Sequence, residues 1–171
     1  MSEPLLRVRG LRVRYATPRG VLHAVDGLDL ELAAGQTLGL VGESGSGKSQ
    51  TALALLGLLP RAAQVGGSVR FDGRELLGLS ESELNRLRGD RIALVFQDPM
   101  TSLNPYLTVG TQLAEILQWH RGLSRAAAMA ECLRMLDAVR IASPGARLRQ
   151  YPHQFSGGMR QRVLIAGALL C

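Results

Sequence analysis

The sequence has little of what marks a membrane-spanning or exported chain. Its longest apolar stretch near the end, Val163 to Cys171, is about half of what a spanning helix needs. The first residues, Met1 to Pro4, show no basic cap followed by an apolar run, so we expect no secretory signal. The composition therefore predicts a chain that stays in the cytoplasm.

Cysteine is also scarce. The two cysteines, Cys132 and Cys171, are too few for a disulfide framework or a cysteine-based metal site. We expect both to be reduced thiols, with Cys132 on a helix.

Basic residues are numerous but dispersed, and aromatic residues are few. The net charge of +6 suits an acidic partner, yet the arginines stand singly along the chain. Three Phe, three Tyr and one Trp leave little for base stacking, so we expect no nucleic-acid partner. Of the 20 basic residues only Lys48 is lysine, which indicates a position where the forked guanidinium of arginine does not fit.

Lys48 lies in a glycine-rich motif that predicts nucleotide binding. Backbone N–H groups of such a loop surround an anion, and the helix that follows presents its N-terminus to the same charge. Lys48 can reach the β- and γ-phosphates of ATP, and Ser49 can give its hydroxyl to Mg²⁺. The motif G-x-x-x-x-G-K-[ST] is matched by Gly42, Glu43, Ser44, Gly45, Ser46, Gly47, Lys48 and Ser49.

Periodicity predicts an α/β chain whose second half is mainly helical. Short apolar runs without polar alternation indicate buried central strands on either side of the phosphate-loop helix. Ser80 and Glu83 form a capping box that opens a short helix. The predicted strands are residues 6–15, 21–25, 28–32, 37–41, 69–71 and 92–96, and the predicted longer helices are residues 49–59, 109–120, 124–139 and 156–171.

A second motif selects a family. The segment from Gln154 to Arg162 resembles the signature sequence of ABC ATPases, usually Leu-Ser-Gly-Gly-Gln. Here Phe155 and Met159 replace the usual Leu and Gln, while the central Ser-Gly-Gly is retained. Its serine N-cap and glycines repeat the chemistry of an anion site at a helix start. In the family this edge meets the γ-phosphate bound on a second subunit, which implies roles for Ser156, Gly157 and Gly158.

The resemblance implies two further site residues. Gln97 follows a predicted buried strand, where ABC ATPases place a glutamine that contacts Mg²⁺ and water and senses the membrane subunits; alternatively, it is a polar residue that ends a strand. Tyr15 precedes the phosphate loop, where the family keeps an aromatic ring to stack on adenine, although tyrosine is also a good strand residue.

The residues around these motifs are similar to the dipeptide/oligopeptide/nickel branch of ABC importers. The matching stretches are residues 41–49, 96–105 and 151–159. Membership implies ATP and Mg²⁺ as cofactors, a second ATPase subunit, a pair of membrane permeases and, indirectly, a substrate-binding protein. The subunit would lie on the inner face of the cell membrane. His153 belongs to this framework and has no partner at metal-ligand spacing.

The resemblance also implies the architecture. We expect the phosphate-loop NTPase core of the ABC ATPase type, with an N-terminal antiparallel β subdomain and a helical subdomain, incomplete at the C-terminus. The expected divisions are residues 1–97 for the β subdomain and core, 98–155 for the helical subdomain, and 156–171 for the signature helix.

The hydrolytic residues of the family are not found in these 171 residues. Family members continue into a strand that ends in Asp and Glu, an Asp-containing loop and a histidine. From Ala138 to Cys171 there is no acidic residue, and Asp98 belongs to the glutamine loop. We therefore expect little ATPase activity and marginal stability from this polypeptide alone.

Three functions remain open from the sequence. The leading hypothesis is a fragment of the ATPase subunit of a peptide-type importer. The second is a nucleotide-binding module that does not hydrolyse and that regulates a full-length partner. The third, a soluble ABC protein acting on nucleic acid, is disfavoured by the scattered arginines.

Overall fold

The protein is described from a computed structural model that covers residues 3–97 and 102–171. The chain folds into two compact units, Met1–Asn85 and Arg86–Cys171. The first unit holds the predicted phosphate loop, and the second holds Gln97 and the predicted signature. The expected subdomain divisions after residues 97 and 155 stay a prediction.

The first unit is built on an antiparallel sheet of four strands in the order β2-β1-β3-β4. Apolar residues alternate with arginines along β1 and enter the core, where Val8 and Val13 are fully buried. An irregularity between Val8 and Leu11 shifts the alternation by one residue. Asp72 and Gly73 form the turn after β3 at φ angles of 51° and 73°. The strands are β1 Leu6–Thr17, β2 Gly20–Leu32, β3 Ala63–Phe71 and β4 Arg74–Glu75.

Two short helices complete this part of the chain. Helix α1, Lys48–Leu55, follows the phosphate loop and ends four residues before the predicted Leu59. Gly57 adopts a left-handed φ of 63° just beyond it, which ends the helix early. Helix α2, Glu81–Leu87, begins at the predicted capping box, where Ser80 N donates to Glu83 Oε2 at 2.9 Å.

Two predicted strands are absent from the structure. Residues 37–41 and 93–96 have no regular structure, and no strand within the described ranges pairs with them. Their apolar side chains are open to solvent: Val41 is 94% exposed and Phe96 is 49% exposed. The prediction was wrong for this chain because a parallel strand exists only through ladder hydrogen bonds to neighbouring strands.

The second unit is helical and confirms the predicted helices. Ser156 caps its helix as expected, Ser124 caps the helix predicted over residues 124–139, and Thr108 caps the remaining long one. Its core includes the fully buried Leu117 and Leu136. The helices are α3 Val109–Arg121, α4 Arg125–Ala138, α5 Pro144–Arg147 and α6 Gly157–Leu169, with a 3-10 turn at Pro152–Gln154.

Both cysteines are free, and Cys132 lies on α4 as predicted. Burial, with a smaller contribution from the neighbouring Glu131 carboxylate, raises the pKa of Cys132 to about 11. This thiol is therefore protonated at neutral pH and packs as a small apolar side chain. Across the described ranges, no helix is both long enough and apolar enough to cross a membrane.

Candidate functional site

The phosphate loop is held in shape by the two motif glycines, Gly42 and Gly47, and by Gly45 between them. Gly45 and Gly47 adopt φ angles of 83° and 90°, a region that side chains rarely enter. A Cβ on Gly42 would lie 2.5 Å from Ser46 Oγ, and one on Gly47 would lie 2.3 Å from the carbonyl oxygen of Ala24. The loop is therefore closed tightly on itself and on strand β2.

Lys48 points its ammonium group back into the loop. Its Nζ donates to Gly42 O at 2.6 Å, to Glu43 O at 2.7 Å and to Ser46 Oγ at 3.2 Å. These three acceptors use all three N–H donors of the ammonium. A phosphate oxygen that entered the loop would replace these neutral acceptors. Because it carries a negative charge and the ammonium a positive one, its hydrogen bond to Lys48 would be stronger.

The start of α1 offers further groups to an anion and a metal ion. The helix has no side-chain cap at Gly47, so its first N–H groups face the loop. The exposed Ser49 hydroxyl makes no hydrogen bond to the part of the chain that the structure describes, which leaves it available to Mg²⁺. Thr51 anchors the helix, because its buried hydroxyl donates to Gly47 O at 3.1 Å. The residues present thus fit a nucleotide phosphate with its magnesium ion.

Tyr15 forms a hydrogen bond to the same helix, α1. The ring lies half-buried at the end of β1, and its hydroxyl donates to Gln50 Oε1 at 2.6 Å. Gln50 directly follows Lys48 and Ser49, so one helix carries the phosphate ligands and holds the predicted adenine platform. Sequence reasoning missed Gln50; the only signal was a polar side chain at the start of an otherwise apolar helix.

Gln97 lies in the second unit and is exposed, at a bend. The strand expected to lead into it is absent, and residues 98–101, including Asp98, lie outside the described residues. The structure groups Tyr15 with the phosphate loop in the first unit. For Gln97, in the second unit, it describes only the exposed side chain at a bend. Its role at the metal therefore stays a prediction.

The predicted signature forms a capped helix start in the second unit. Ser156 Oγ accepts from Met159 N at 3.4 Å and begins α6. Gly157 and Gly158 are exposed, and a Cβ on either would meet open space. This helix start is therefore accessible to an anion from outside.

The segment before Ser156 is fixed by several contacts. Phe155 is buried, 3% exposed, which explains why another large apolar residue replaces the usual leucine. Arg160 Nε donates to Pro152 O at 2.7 Å and ties α6 to the preceding turn. His153 stacks on Tyr151 with ring centroids 5.7 Å apart. No group of three or more metal-ligating side chains occurs among the described residues, and the framework role of His153 stays a prediction.

Comparison with known proteins decides the family. The family model described as ABC transporter matches residues 25–171, which include the phosphate loop, Gln97 and the signature. The chain belongs to the ABC transporter family.

The relatives of this ABC transporter chain include peptide-transport subunits. It is 60% identical over 170 residues to the oligopeptide transport ATP-binding protein OppD of Salmonella typhimurium, with 99% of this chain and 51% of OppD covered. It is 50% identical over 171 residues to the dipeptide transport ATP-binding protein DppD of Bacillus subtilis, with 99% and 51% covered. The chain thus spans about half the length of these curated relatives.

Solved structures confirm the fold class. The ATP-binding cassette MJ0796, in a dimeric post-hydrolysis state bound to ADP and Pi, matches with a TM-score of 0.85 and 27% identity. The match covers 96% of this chain and 69% of that chain. The fold is therefore a partial ABC ATPase core of the α/β class, with the antiparallel sheet and the helices described above.

Proposed function

We propose that this chain supplies the nucleotide-binding part of an ATP-binding subunit in an ABC importer for peptides. The observation that carries the proposal is the phosphate loop, in which Lys48 is held by acceptors that a phosphate would replace. The peptide assignment is supported by similarity to OppD and DppD. Nickel, which the same branch of importers transports, remains the alternative substrate.

In this proposal each site residue has a defined contact. Lys48 and the loop N–H groups bind the β- and γ-phosphates, Ser49 binds Mg²⁺, and Tyr15 stacks on adenine. Gln97 contacts Mg²⁺ and senses the membrane subunits. These contacts would position the nucleotide, and a Mg²⁺ ion held by Ser49 and Gln97 would help to neutralise the charge of its phosphates.

The partners follow from the exposed signature edge. Ser156, Gly157 and Gly158 present a helix start to an anion, which suits the γ-phosphate held by a second ATPase subunit. The solved structure of MJ0796 bound to ADP and Pi is dimeric, which supports a two-subunit arrangement. We further propose that the subunit lies on the inner face of the cell membrane, against two permeases that receive substrate from a binding protein.

Hydrolysis is not expected from these residues alone. No acidic residue follows Asp137 to hold a metal ion or orient water beyond the signature. A polypeptide of these 171 residues should therefore bind nucleotide without turnover. In association with a full-length subunit it would act as a non-hydrolysing module, the second function that the sequence left open.

The test is ATP binding by Lys48 variants, measured by calorimetry with Mg²⁺ present. Lys48→Ala should weaken ATP binding by about tenfold or more, since it removes a charge-assisted hydrogen bond. Lys48→Arg should weaken it similarly, because the planar fork does not fit the closed loop. Phosphate release should stay at the level of buffer for every variant.

The matched control is Arg125→Ala, which removes an exposed cation at the start of α4. It should leave ATP affinity unchanged. Equal affinity of Lys48→Ala and the parent chain would contradict the proposed site, and phosphate release above buffer would contradict the expected lack of turnover.

A further inference from the structure

Two large apolar residues lie exposed next to each other near the start of β2. Val21 is 60% exposed and Leu22 is 56% exposed, although the hairpin that contains them is paired as far as Thr17 and Gly20 at its turn. A single exposed apolar side chain needs no explanation. The face of the sheet on which each residue lies therefore decides whether it has a role.

The strand register places Leu22 on the face of the sheet that carries helix α1. Residues directly opposite each other in an antiparallel pair project from the same face. Leu22 lies opposite Tyr15, whose hydroxyl donates to Gln50 on α1. Val21 alternates with Leu22 and so projects from the other face. The nearest register shift lies immediately before Arg14, so the pairing is regular from Tyr15 to the turn.

Leu22 is thus the large apolar neighbour of the proposed adenine platform. The Cβ atoms of directly opposed residues lie roughly 4.5–5.5 Å apart. On its other side Tyr15 pairs with Ala63 of β3, which offers only a methyl group. The space beside the Tyr15 ring is therefore bordered on β2 by a branched aliphatic side chain that is more than half exposed.

The phosphate loop contacts the same strand close to Leu22. The carbonyl oxygen of Ala24 lies 2.3 Å from the position that a Cβ on Gly47 would take. Leu22 is two residues from Ala24, at most roughly 7 Å along the strand, on the side of the hairpin turn. A nucleotide that reaches from the phosphate loop to the Tyr15 ring would run along this part of β2 and bring its base beside Leu22.

We propose that Leu22 binds the nucleotide base together with Tyr15: the aromatic ring stacks on the base, and the leucine side chain packs against its rim. This inference rests on the proposed nucleotide binding and adds a residue that acts on the base and not on the phosphates. The contact is apolar, so it stabilises the complex by removing the exposed part of Leu22 and the carbon atoms of the base from water.

The test compares serine substitutions at the two neighbouring positions by calorimetry with Mg²⁺ present, with ATP and inorganic tripolyphosphate as ligands. Leu22→Ser should weaken ATP binding by about three- to tenfold, because the apolar contact with the base is lost. The affinity of this variant for tripolyphosphate, which has no base, should change by less than about twofold.

The matched control is Val21→Ser, which removes an apolar side chain of similar exposure from the opposite face of the same strand. It should leave the affinity for both ligands unchanged. Leu22→Met keeps an apolar side chain of similar volume and should bind ATP within about twofold of the parent chain. Unchanged far-ultraviolet circular dichroism shows that each variant is folded.

Four results would overturn the role of Leu22. Equal weakening of ATP binding by Val21→Ser indicates a general effect on the hairpin, and equal losses for ATP and tripolyphosphate indicate a disturbed phosphate loop. A loss for Leu22→Met as large as that for Leu22→Ser excludes an apolar contact. Unchanged ATP affinity of Leu22→Ser, in a parent chain that binds both ligands, shows that the base lies elsewhere. A parent chain that binds neither ligand would instead contradict the proposed nucleotide site as a whole.

Discussion

At the scale of single residues, Gln50 connects two parts of the candidate nucleotide site. Its side chain accepts from the Tyr15 hydroxyl at 2.6 Å, and its backbone directly follows Lys48 and Ser49. The ring that is proposed to hold adenine is thus oriented by the helix that is proposed to hold the phosphates. Displacement of the ring should affect binding of the base more than binding of the phosphates.

We expect Gln50→Leu to weaken ATP binding by about three- to tenfold, the effect of one neutral hydrogen bond. Binding of inorganic tripolyphosphate, which has no base, should not change. Tyr15→Phe should give the same loss for ATP, because it keeps the ring and removes only the hydroxyl. Calorimetry with both ligands measures the difference.

The double variant is the control. If Gln50 acts only through Tyr15, then the combined change should be no larger than either single change. An equal loss of affinity for ATP and tripolyphosphate would contradict the role of Gln50 in orienting the ring and would indicate a general disturbance of α1.

The same residues show what a sequence reveals and what it does not. Lys48 and Ser156 could be identified because their roles depend on neighbours in the chain: a glycine loop and a helix start. The Tyr15–Gln50 contact joins positions far apart in sequence, so no local sequence pattern predicts it. For Gln97, the structure adds only its exposure and its place at a bend.

At the scale of secondary structure, the helices of the second unit are defined by local signals and a shared core. Thr108 and Ser124 each accept from an N–H three residues on, and the left-handed Gly122 ends α3. Because caps and helical spacing are both local, the predicted bounds of these helices agree with the structure to within about two residues.

Leu117 on α3 should carry much of the stability of this unit. It is fully buried, so Leu117→Ala should lower the free energy of unfolding by about 2–5 kcal/mol through lost burial and a remaining cavity. Trp119 on the same helix is 85% exposed, and Trp119→Ala should change the free energy of unfolding by less than about 0.5 kcal/mol. Urea denaturation followed by circular dichroism measures both, and similar values would contradict the assigned core.

The strands near the phosphate loop could not be predicted in the same way. Residues 37–41 and 92–96 have the apolar composition of central strands, yet composition does not supply hydrogen-bond partners. By contrast β1 and β2 form where strands were predicted, and β3 pairs with β1 but begins at Ala63, six residues before the predicted strand 69–71. A helix is satisfied by its own backbone, whereas a strand depends on residues that lie elsewhere.

At the scale of the whole molecule, exposed apolar segments set the chain apart from a closed globular domain. Leu38, Leu40, Val41 and Phe96 are each between 46% and 94% exposed. The chain spans about half the length of its curated relatives. We propose that additional strands of a longer subunit cover these segments in a complete nucleotide-binding domain.

The substitution Val41→Ser distinguishes an exposed segment in this chain from a buried strand in a longer subunit. In this 171-residue chain it should change the free energy of unfolding by less than about 0.5 kcal/mol, because the side chain is almost fully exposed. In a longer subunit with a complete sheet the same change should cost about 1–3 kcal/mol. Urea denaturation of both proteins, each with and without the substitution, provides the comparison.

A large loss in the short chain would show that Val41 is buried in solution. A negligible loss in the longer subunit would contradict the proposed central strand. Arg19→Ala, in the exposed turn between β1 and β2, controls for effects of a surface substitution that should be small in both proteins.

The contact between Gly47 and Ala24 has a consequence for how this chain can evolve. The carbonyl oxygen of Ala24 occupies the space that a side chain on Gly47 would need, at 2.3 Å from the Cβ position. Glycine is therefore imposed at position 47 by the neighbouring strand, whether or not nucleotide is bound. A descendant that lost its ligand would be free to drift at Ser49, whose hydroxyl holds nothing in the described part of the fold, and would still inherit Gly47.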